Sequence, residues 1–380
     1  MRIFPAIEAL HANFPHASIS LLASPHSQGV LSLFRGAEIL SEVIDYDIRG
    51  KHRRWLAKLG LIASLRRRNF HLAYSPSRGE GMREHLLLSF LTGARHRIGF
   101  RIGRCGLLNT VRIEFQQGDV PIARQNLDLL HAAHLKTEES AVRLAVPEKE
   151  RNAAVAILQK LGFIYSYPLV AVHAGAFWNA RYRCWPIEKY ISLIGRLLRE
   201  VKAQIILVGS DAEAEAGERI EREIRDTSVV SLAGKTDIPL MAAVIGVSHI
   251  FIGNDSGPLH IASALKIPFI GIFGSTAPGQ VLSHTHRGII LRRDMGCGPC
   301  YLHDPLFTPS CERTHQVPPC LDMITVEEVM EGVKRLLMQN PVKGPRVSSA
   351  PSRKSENKGK SPGRKTANII YRDEMPEKSI

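Results

Sequence analysis

Residues 250–276, IFIGNDSGPLHIASALKIPFIGIFGST, contain two short apolar runs that each stop at a glycine and small polar residues. Residues 259–265, between the two runs, have the pattern of one short helix. Strand, loop, helix, strand and loop in this order are typical of a parallel α/β unit. The stretch therefore predicts an α/β fold.

The loop at residues 253–257 follows the first of these strands, at the edge where parallel sheets bind ligands. Ser256 can cap the following helix, and Pro258 suits its first turn. The free N–H groups of that turn, which begins at Gly257, favour an anion such as phosphate, and His260 can add a hydrogen bond or a positive charge. We expect Asp255 to face sugar hydroxyls or a proton-transfer partner. A capped helix without a ligand is the alternative.

Similar pieces alternate along the rest of the chain. Apolar runs predict strands at residues 169–173 and 204–208, and apolar spacing predicts helices at residues 187–201 and 324–338. In the first part of the chain, residues 6–14 have a helical pattern.

Residues 253–276 resemble the donor-site signature of glycosyltransferase family 9, the ADP-heptose:lipopolysaccharide heptosyltransferases. A second block at residues 170–198, VAVHAGAFWNARYRCWPIEKYISLIGRLL, is similar to the family's strand, His-Ala/Pro-Gly loop, basic residue, Trp-Pro and helix. The resemblance covers residues 5–333 and is stronger in the second half of the chain.

The resemblance implies a GT-B fold, in which two Rossmann-like, doubly wound domains face a cleft. Residues 1–146 would form the acceptor-binding domain, residues 147–166 a linker and helix, and residues 167–340 the nucleotide-sugar domain with a cysteine-rich loop at 295–322. Residues 341–380 are rich in Ser, Pro, Gly and Lys, which predicts a disordered basic tail.

The resemblance also assigns donor-binding roles. Arg183 takes the family's Lys/Arg position beside the diphosphate, and Glu213 would bind nucleoside hydroxyls, although a capping role is the common alternative. Because Arg183 and helix N–H groups would already cover the diphosphate, no cofactor is expected for catalysis. The implied donor site comprises His173, Gly175, Arg183, Glu213, Asp255, Ser256, Gly257 and His260.

The expected reaction is an inverting transfer of heptose from ADP-heptose to the inner core of lipopolysaccharide. In the family, a strand and a Gly-Asp pair precede a helix similar to residues 4–10, and that Asp is the proposed general base. Neither is found here, so we expect a missing N-terminal strand, and Asp255 is the candidate catalytic residue that remains. Two alternatives are another sugar and acceptor, or a catalytically silent nucleotide-sugar-binding remnant.

The composition indicates a cytoplasmic protein. A chain of 380 residues predicts two domains, and no apolar run approaches the about 20 residues that cross a bilayer. The N-terminal residues do not resemble a signal peptide, and six cysteines do not indicate a secreted disulfide scaffold.

The net charge of +14 is concentrated at the two ends of the chain. Residues 1–112 hold 17 Lys/Arg against 7 Asp/Glu, and residues 341–380 hold 10 against 4. This surplus suggests an anionic glycolipid acceptor or the anionic face of the inner membrane, and nucleic acid is disfavoured because no matching motif is present. Residues 49–68 predict an amphipathic basic helix, either a solvated face over a core or a surface for lipid or acceptor. Its apolar stripe is Trp55, Leu56, Leu59, Ile62 and Leu65.

Four cysteines, Cys297, Cys300, Cys311 and Cys320, lie close together in a proline-rich loop. Four thiolates suit a tetrahedral structural zinc ion, and Cys297 and Cys300 have the spacing of the usual first half of such a site. Free thiols are the alternative. The expected role of such a zinc site is folding of the loop.

Overall fold

The computed structural model describes residues 1–48, 50–77, 82–101, 103–116, 120–138, 142–164, 166–175, 183–282, 287–300 and 317–342. Its strands form three parallel sheets. None of its helices has the length and apolar character needed to cross a membrane.

The largest sheet has six parallel strands in the order β11-β10-β9-β6-β7-β8. Every residue of β6, β9 and β10 is buried, as expected for apolar strands with a neighbour on each side. The chain runs from β6 toward β8 on one side and from β9 toward β11 on the other, so the strand order reverses between β6 and β9. The strands are β6 Leu169–His173, β7 Gln204–Leu207, β8 Val229–Ser231, β9 Ile250–Asn254, β10 Phe269–Phe273 and β11 Gly288–Arg292.

The first part of the chain forms two smaller parallel sheets. β1 (Ile19–Ala23) pairs with β2 (Leu40–Asp45), while β4 (His96–Arg101) lies between β3 (Leu72–Ser75) and β5 (Val111–Glu114). Every residue of β1 and of β3 is only half-buried.

Helices cover both faces of the six-stranded sheet. The helices of the described residues are α1 Phe4–Asn13, α2 Gln28–Leu31, α3 Trp55–Arg67, α4 Met82–Leu91, α5 Ile122–Ala132, α6 Glu148–Lys160, α7 Ile187–Val201, α8 Ala214–Ile224, α9 Ile238–Val247, α10 Gly257–Ala264, α11 Pro278–Val281, α12 Pro319–Asp322 and α13 Val326–Gln339. Side chains of β9 alternate between the two cores: Phe251 packs with Leu259 of α10, and Ile252 packs with Leu193 of α7 and Val333 of α13. This alternation is what a doubly wound sheet requires.

Helix α1 packs against both smaller sheets. Its Phe4 and Ile7 belong to the same apolar cluster as Leu21 of β1, whereas Ala6 and Leu10 pack with Leu72 of β3. Two adjacent faces of one helix therefore contribute to the apolar clusters of β1 and β3.

The predicted helix at residues 49–68 is present as α3, but its apolar stripe is divided. Leu65 faces the core, whereas Trp55, Leu56 and Leu59 are exposed. The apolar residues named from the sequence are therefore split between two faces of the helix, and the inner face of α3 is centred on Leu61 and Leu65.

Candidate functional site

The candidate site lies at the carboxyl ends of β6 and β9, where the strand order of the six-stranded sheet reverses. His173 closes β6 opposite Gly253 of β9. A reversal of strand order opens a crevice beyond the strand ends, and open α/β sheets bind ligands there. The structure therefore brings together at one edge the two loops that the sequence analysis identified separately.

Asn254, the last residue of β9, ties these loops to each other. Its Oδ1 accepts hydrogen bonds from the Trp185 backbone N–H at 3.0 Å and the Tyr190 hydroxyl at 3.1 Å. Its Nδ2 donates to the Gly175 carbonyl at 2.9 Å. Asn254 is fully buried, so these bonds satisfy a polar group that would otherwise be costly. The sequence analysis missed this residue, although a polar side chain at the end of an apolar strand was the available signal.

Trp185, the tryptophan of the Trp-Pro pair, is a core residue. It is 1% exposed, its ring packs edge-on against Tyr190, and its Nε1 donates to the Ile324 carbonyl at 2.9 Å. It anchors the segment that carries Arg183 two residues earlier.

Glu213 is part of a capping box and also holds His173. Its Oε2 accepts from the Ser210 N–H at 2.7 Å and the Ser210 hydroxyl at 2.9 Å, and its Oε1 lies 2.9 Å from His173 Nε2. Burial opposes ionisation, but the bonds to His173 and Ser210 lower the pKa of Glu213 to about 2. A Cβ at Gly175 would overlap this carboxylate, so the loop after β6 needs glycine there.

Ser256 does not cap α10 with its side chain, contrary to the sequence prediction. It occupies the N-cap position, but its hydroxyl lies 3.1 Å from His173 Nδ1. The ionised Glu213 can only accept, so His173 Nε2 donates to it, and Nδ1 on the other side of the ring faces the Ser256 hydroxyl. The Glu213–His173–Ser256 hydrogen bonds therefore hold the residue that directly precedes α10.

Asp255 is a buried carboxylate surrounded by donors. Thr276 donates to its Oδ2 at 2.6 Å, Arg183 Nη1 lies 3.7 Å from the same oxygen, and His260 Nε2 lies 3.3 Å from Oδ1. Burial opposes ionisation, but His260, Arg183 and Thr276 together hold the pKa of Asp255 well below its ordinary value. A carboxylate with such a low pKa is a weak proton acceptor, so this environment favours a charge partner over a general base.

His260 Nε2 lies between two groups of opposite charge. It is 3.1 Å from Arg2 Nη2 and 3.3 Å from Asp255 Oδ1. One ring nitrogen cannot serve both, because it donates to Asp255 when protonated and accepts from Arg2 when not. Burial lowers the pKa of His260, and Arg2 lowers it further against the opposing effect of Asp255, so the ring is neutral near pH 7. Arg2 was not among the predicted site residues.

Space is open beside the first residue of α10. Among the described residues, no atom lies within 4 Å of a Cβ added at Gly257. The first N–H groups of a helix have no acceptor within the helix, and the positive end of the helix dipole lies there. Arg183 and His260 lie beside the same turn through their contacts with Asp255. The arrangement can therefore hold an anion against backbone N–H groups, with a guanidinium and an imidazole beside it.

The predicted zinc site stays a prediction, because Cys311 lies outside the described residues. Cys297 is exposed, Cys300 and Cys320 are partly buried, and none of the three is in a disulfide. Within the described ranges, no group of three His, Cys, Asp or Glu side chains could hold a metal ion.

Comparisons with known proteins all point to one protein family. Residues 62–307, more than half of the chain, match the sequence model of glycosyltransferase family 9 (heptosyltransferase). The chain is 26% identical over 347 residues to lipopolysaccharide heptosyltransferase 2 of Escherichia coli K12, a match that covers 87% of this chain and 92% of that protein.

Solved structures agree on the fold. The structure of E. coli ADP-heptose LPS heptosyltransferase II superposes with a TM-score of 0.68 at 22% identity, covering 89% of this chain and 95% of that one. A family 9 glycosyltransferase from Veillonella parvula superposes with a TM-score of 0.71 at 17% identity, covering 89% and 93%. The predicted α/β GT-B fold is confirmed, and the chain belongs to glycosyltransferase family 9.

Proposed function

We propose that this chain transfers a heptose from ADP-heptose to the inner core of lipopolysaccharide, at the cytoplasmic face of the inner membrane. The observation that carries the proposal is the open first turn of α10, with Arg183 and His260 beside it, where the strand order reverses. A nucleotide sugar carries a diphosphate, and this arrangement has the charge and the N–H donors that a diphosphate needs.

Each predicted donor residue has a role in this proposal. Arg183 and His260 stabilise the negative charge that grows on the diphosphate as the sugar leaves. Asp255 keeps both side chains in place, and the Glu213–His173–Ser256 chain orients the start of α10. Glu213 has both carboxylate oxygens engaged within the protein, so contact with nucleoside hydroxyls would require those oxygens to accept an additional bond.

The substrate assignment draws on the relatives. The E. coli relative is a lipopolysaccharide heptosyltransferase by name, and the superposed E. coli structure is that of an ADP-heptose LPS heptosyltransferase. We therefore assign ADP-heptose as donor, residues 167–340 as the donor-binding domain and residues 1–146 as the acceptor-binding domain. The direct attack of an acceptor hydroxyl on the anomeric carbon would invert its configuration.

Calorimetry with ADP-heptose, a UDP-sugar and a GDP-sugar tests the donor. We expect binding of ADP-heptose alone. Binding of a UDP- or GDP-sugar without binding of ADP-heptose would replace the donor assignment. Binding of ADP-heptose without transfer to heptose-deficient lipopolysaccharide would favour the silent nucleotide-sugar-binding alternative.

Substitutions test the pocket. His260→Ala and Arg183→Ala should each weaken ADP-heptose binding by about 1–3 kcal/mol, the range for losing a charge-assisted hydrogen bond. His131→Ala and Arg222→Ala, which remove exposed side chains, are the matched controls and should leave the affinity unchanged. Unchanged affinity in both site variants would mean that the donor binds elsewhere.

A further inference from the structure

Helix α3 carries large apolar side chains on its outer face. Trp55 is 68% exposed, Leu56 65% and Leu59 52%, although Leu61 and Leu65 on the inner face are 9% and 4% exposed. The three exposed side chains occupy the first two turns and point to one side of the helix. A helix that only covers a core would present polar residues there, so these exposed apolar side chains mark a candidate contact surface.

The same face is bordered by cations at both ends. Residues 49–69 contain eight Lys or Arg and no Asp or Glu. Lys58 pairs with Glu84 at 2.5 Å, and Arg68 pairs with Glu42. By contrast, five exposed cations have no carboxylate within ion-pair distance among the described residues; these are Lys51, Arg53, Arg54, Arg66 and Arg67.

The neighbouring helix α4 also presents exposed apolar and basic side chains. The Lys58–Glu84 ion pair joins the first turns of the two helices. On α4, Leu87 is 48% exposed and Phe90 is 44% exposed, and Arg83 one turn before Leu87 is also exposed. Two adjacent helices therefore both present apolar and basic side chains outward.

The inner face of α3 is firmly held. Leu61 and Leu65 pack with Tyr46 and with Leu88 of α4 in one buried cluster. The outer face is therefore displayed by a folded helix, and ordering it on binding would cost little conformational entropy.

We propose that the outer face of α3, with its neighbour α4, docks the protein on a bilayer of anionic phospholipids. Exposed Trp and Leu enter the boundary between headgroups and acyl chains, and flanking Lys and Arg attract anionic headgroups. Binding of a nucleic acid would account for the exposed cations, but it would not account for the three exposed apolar side chains. The need for a membrane rests on the proposed function, because the acceptor of that reaction is anchored in lipid.

Vesicle co-sedimentation of the full chain tests the surface. We expect binding to vesicles of equal parts phosphatidylcholine and phosphatidylglycerol, and much weaker binding to phosphatidylcholine alone. The triple variant Trp55→Ser, Leu56→Ser, Leu59→Ser should lose about tenfold or more in affinity. Arg66→Gln and Arg67→Gln should each lose about fivefold, and only on the anionic vesicles. Met338→Ser, which removes an 80% exposed side chain on α13, is the control and should bind like the wild type.

Tryptophan fluorescence gives a second measurement. Of the three tryptophans, Trp55 is largely exposed, Trp185 is buried and Trp178 lies outside the described residues. Anionic vesicles should shift the emission to shorter wavelength, and the shift should be lost in Trp55→Phe and kept in Trp178→Phe. The proposal is overturned if the wild type does not bind vesicles or if the triple variant binds them equally well. It is also overturned if the same variants abolish a dimer or binding to RNA instead. Calorimetry with ADP-heptose on the same preparations separates the two proposals, since the triple variant should keep the donor affinity of the wild type.

Discussion

The six-stranded sheet and the smaller sheets of the first part of the chain differ in how deeply their strands are buried. Every residue of β6, β9 and β10 is buried, whereas every residue of β1 and β3 is half-buried. The central strands of the larger sheet have neighbours on both sides and helices on both faces. Among the described residues, β1 pairs only with β2, and β3 only with β4.

The difference in burial goes with a difference in the features that each region offers to a partner. The candidate donor site is held by buried polar side chains at the ends of the deeply buried strands, such as His173, Asn254 and Asp255. In the first part of the chain, the features that call for a partner are exposed side chains on α3. A small charged ligand needs fixed donors, whereas a bilayer needs an accessible surface.

The largest expected effect is on the free energy of unfolding. Substitutions in a fully buried strand and in a half-buried strand test the difference between the two regions. Ile252→Ala in β9 should lower the free energy of unfolding by about 2–5 kcal/mol, because it leaves a cavity in a fully buried core. Leu21→Ala in half-buried β1 should cost only about 1 kcal/mol, because less apolar surface is removed from contact. Urea titration followed by circular dichroism measures both, and equal losses would contradict the comparison.

The next largest effect concerns Glu213, which bonds His173 at the end of the buried strand β6. Glu213→Gln should lower the free energy of unfolding near pH 7 by about 1–3 kcal/mol, because a partly buried carboxylate loses its bonds as an ionised acceptor. The pKa of Glu213 is about 2 in the folded protein against an ordinary 4.5. Its contribution is therefore complete above pH 4.5 and is lost as the pH falls toward 2.

Urea titrations across this pH range check the sign. The stability gap between wild type and Glu213→Gln should narrow on acidification. Glu223→Gln, on the exposed side of α8, is the control, since its ion pair with Arg219 lies on the surface and contributes little to stability. A gap that stays constant down to low pH would mean that Glu213 is not held ionised by His173 and Ser210.

The smallest expected effect is the pH dependence of donor binding. The pKa of His260 lies below its ordinary 6.5 in the free protein, and a bound diphosphate should raise it. Binding should therefore take up protons, and the affinity for ADP-heptose should rise as the pH falls through the interval between the two pKa values. Calorimetry in buffers of different ionisation enthalpy measures this uptake, which His260→Ala should remove. Proton release on binding would contradict the placement of His260 beside the diphosphate.

The sequence predicted the buried central strands but missed β2 and β11. The predicted strands at residues 169–173 and 204–208 match β6 and β7, because strands buried on both faces are continuous apolar runs. β2 was not predicted, since its residues alternate between half-buried and exposed positions and include Ser, Glu and Asp. The edge strand β11 was also missed.

The candidate site was predicted where its residues are close together in sequence. Asp255, Ser256, Gly257 and His260 follow one strand, so their meeting at one loop follows from local structure. Arg2 lies 258 positions from His260, and Thr276 is brought to Asp255 by the loop after β10. Such contacts depend on tertiary packing, which spacing along the chain does not specify.

A crystal structure with bound ADP-heptose tests the central claim most directly. We predict the diphosphate within hydrogen-bond distance of the Gly257 N–H, the Arg183 guanidinium and the His260 ring. A donor bound elsewhere, with side chains filling the space in front of Gly257, would contradict the account.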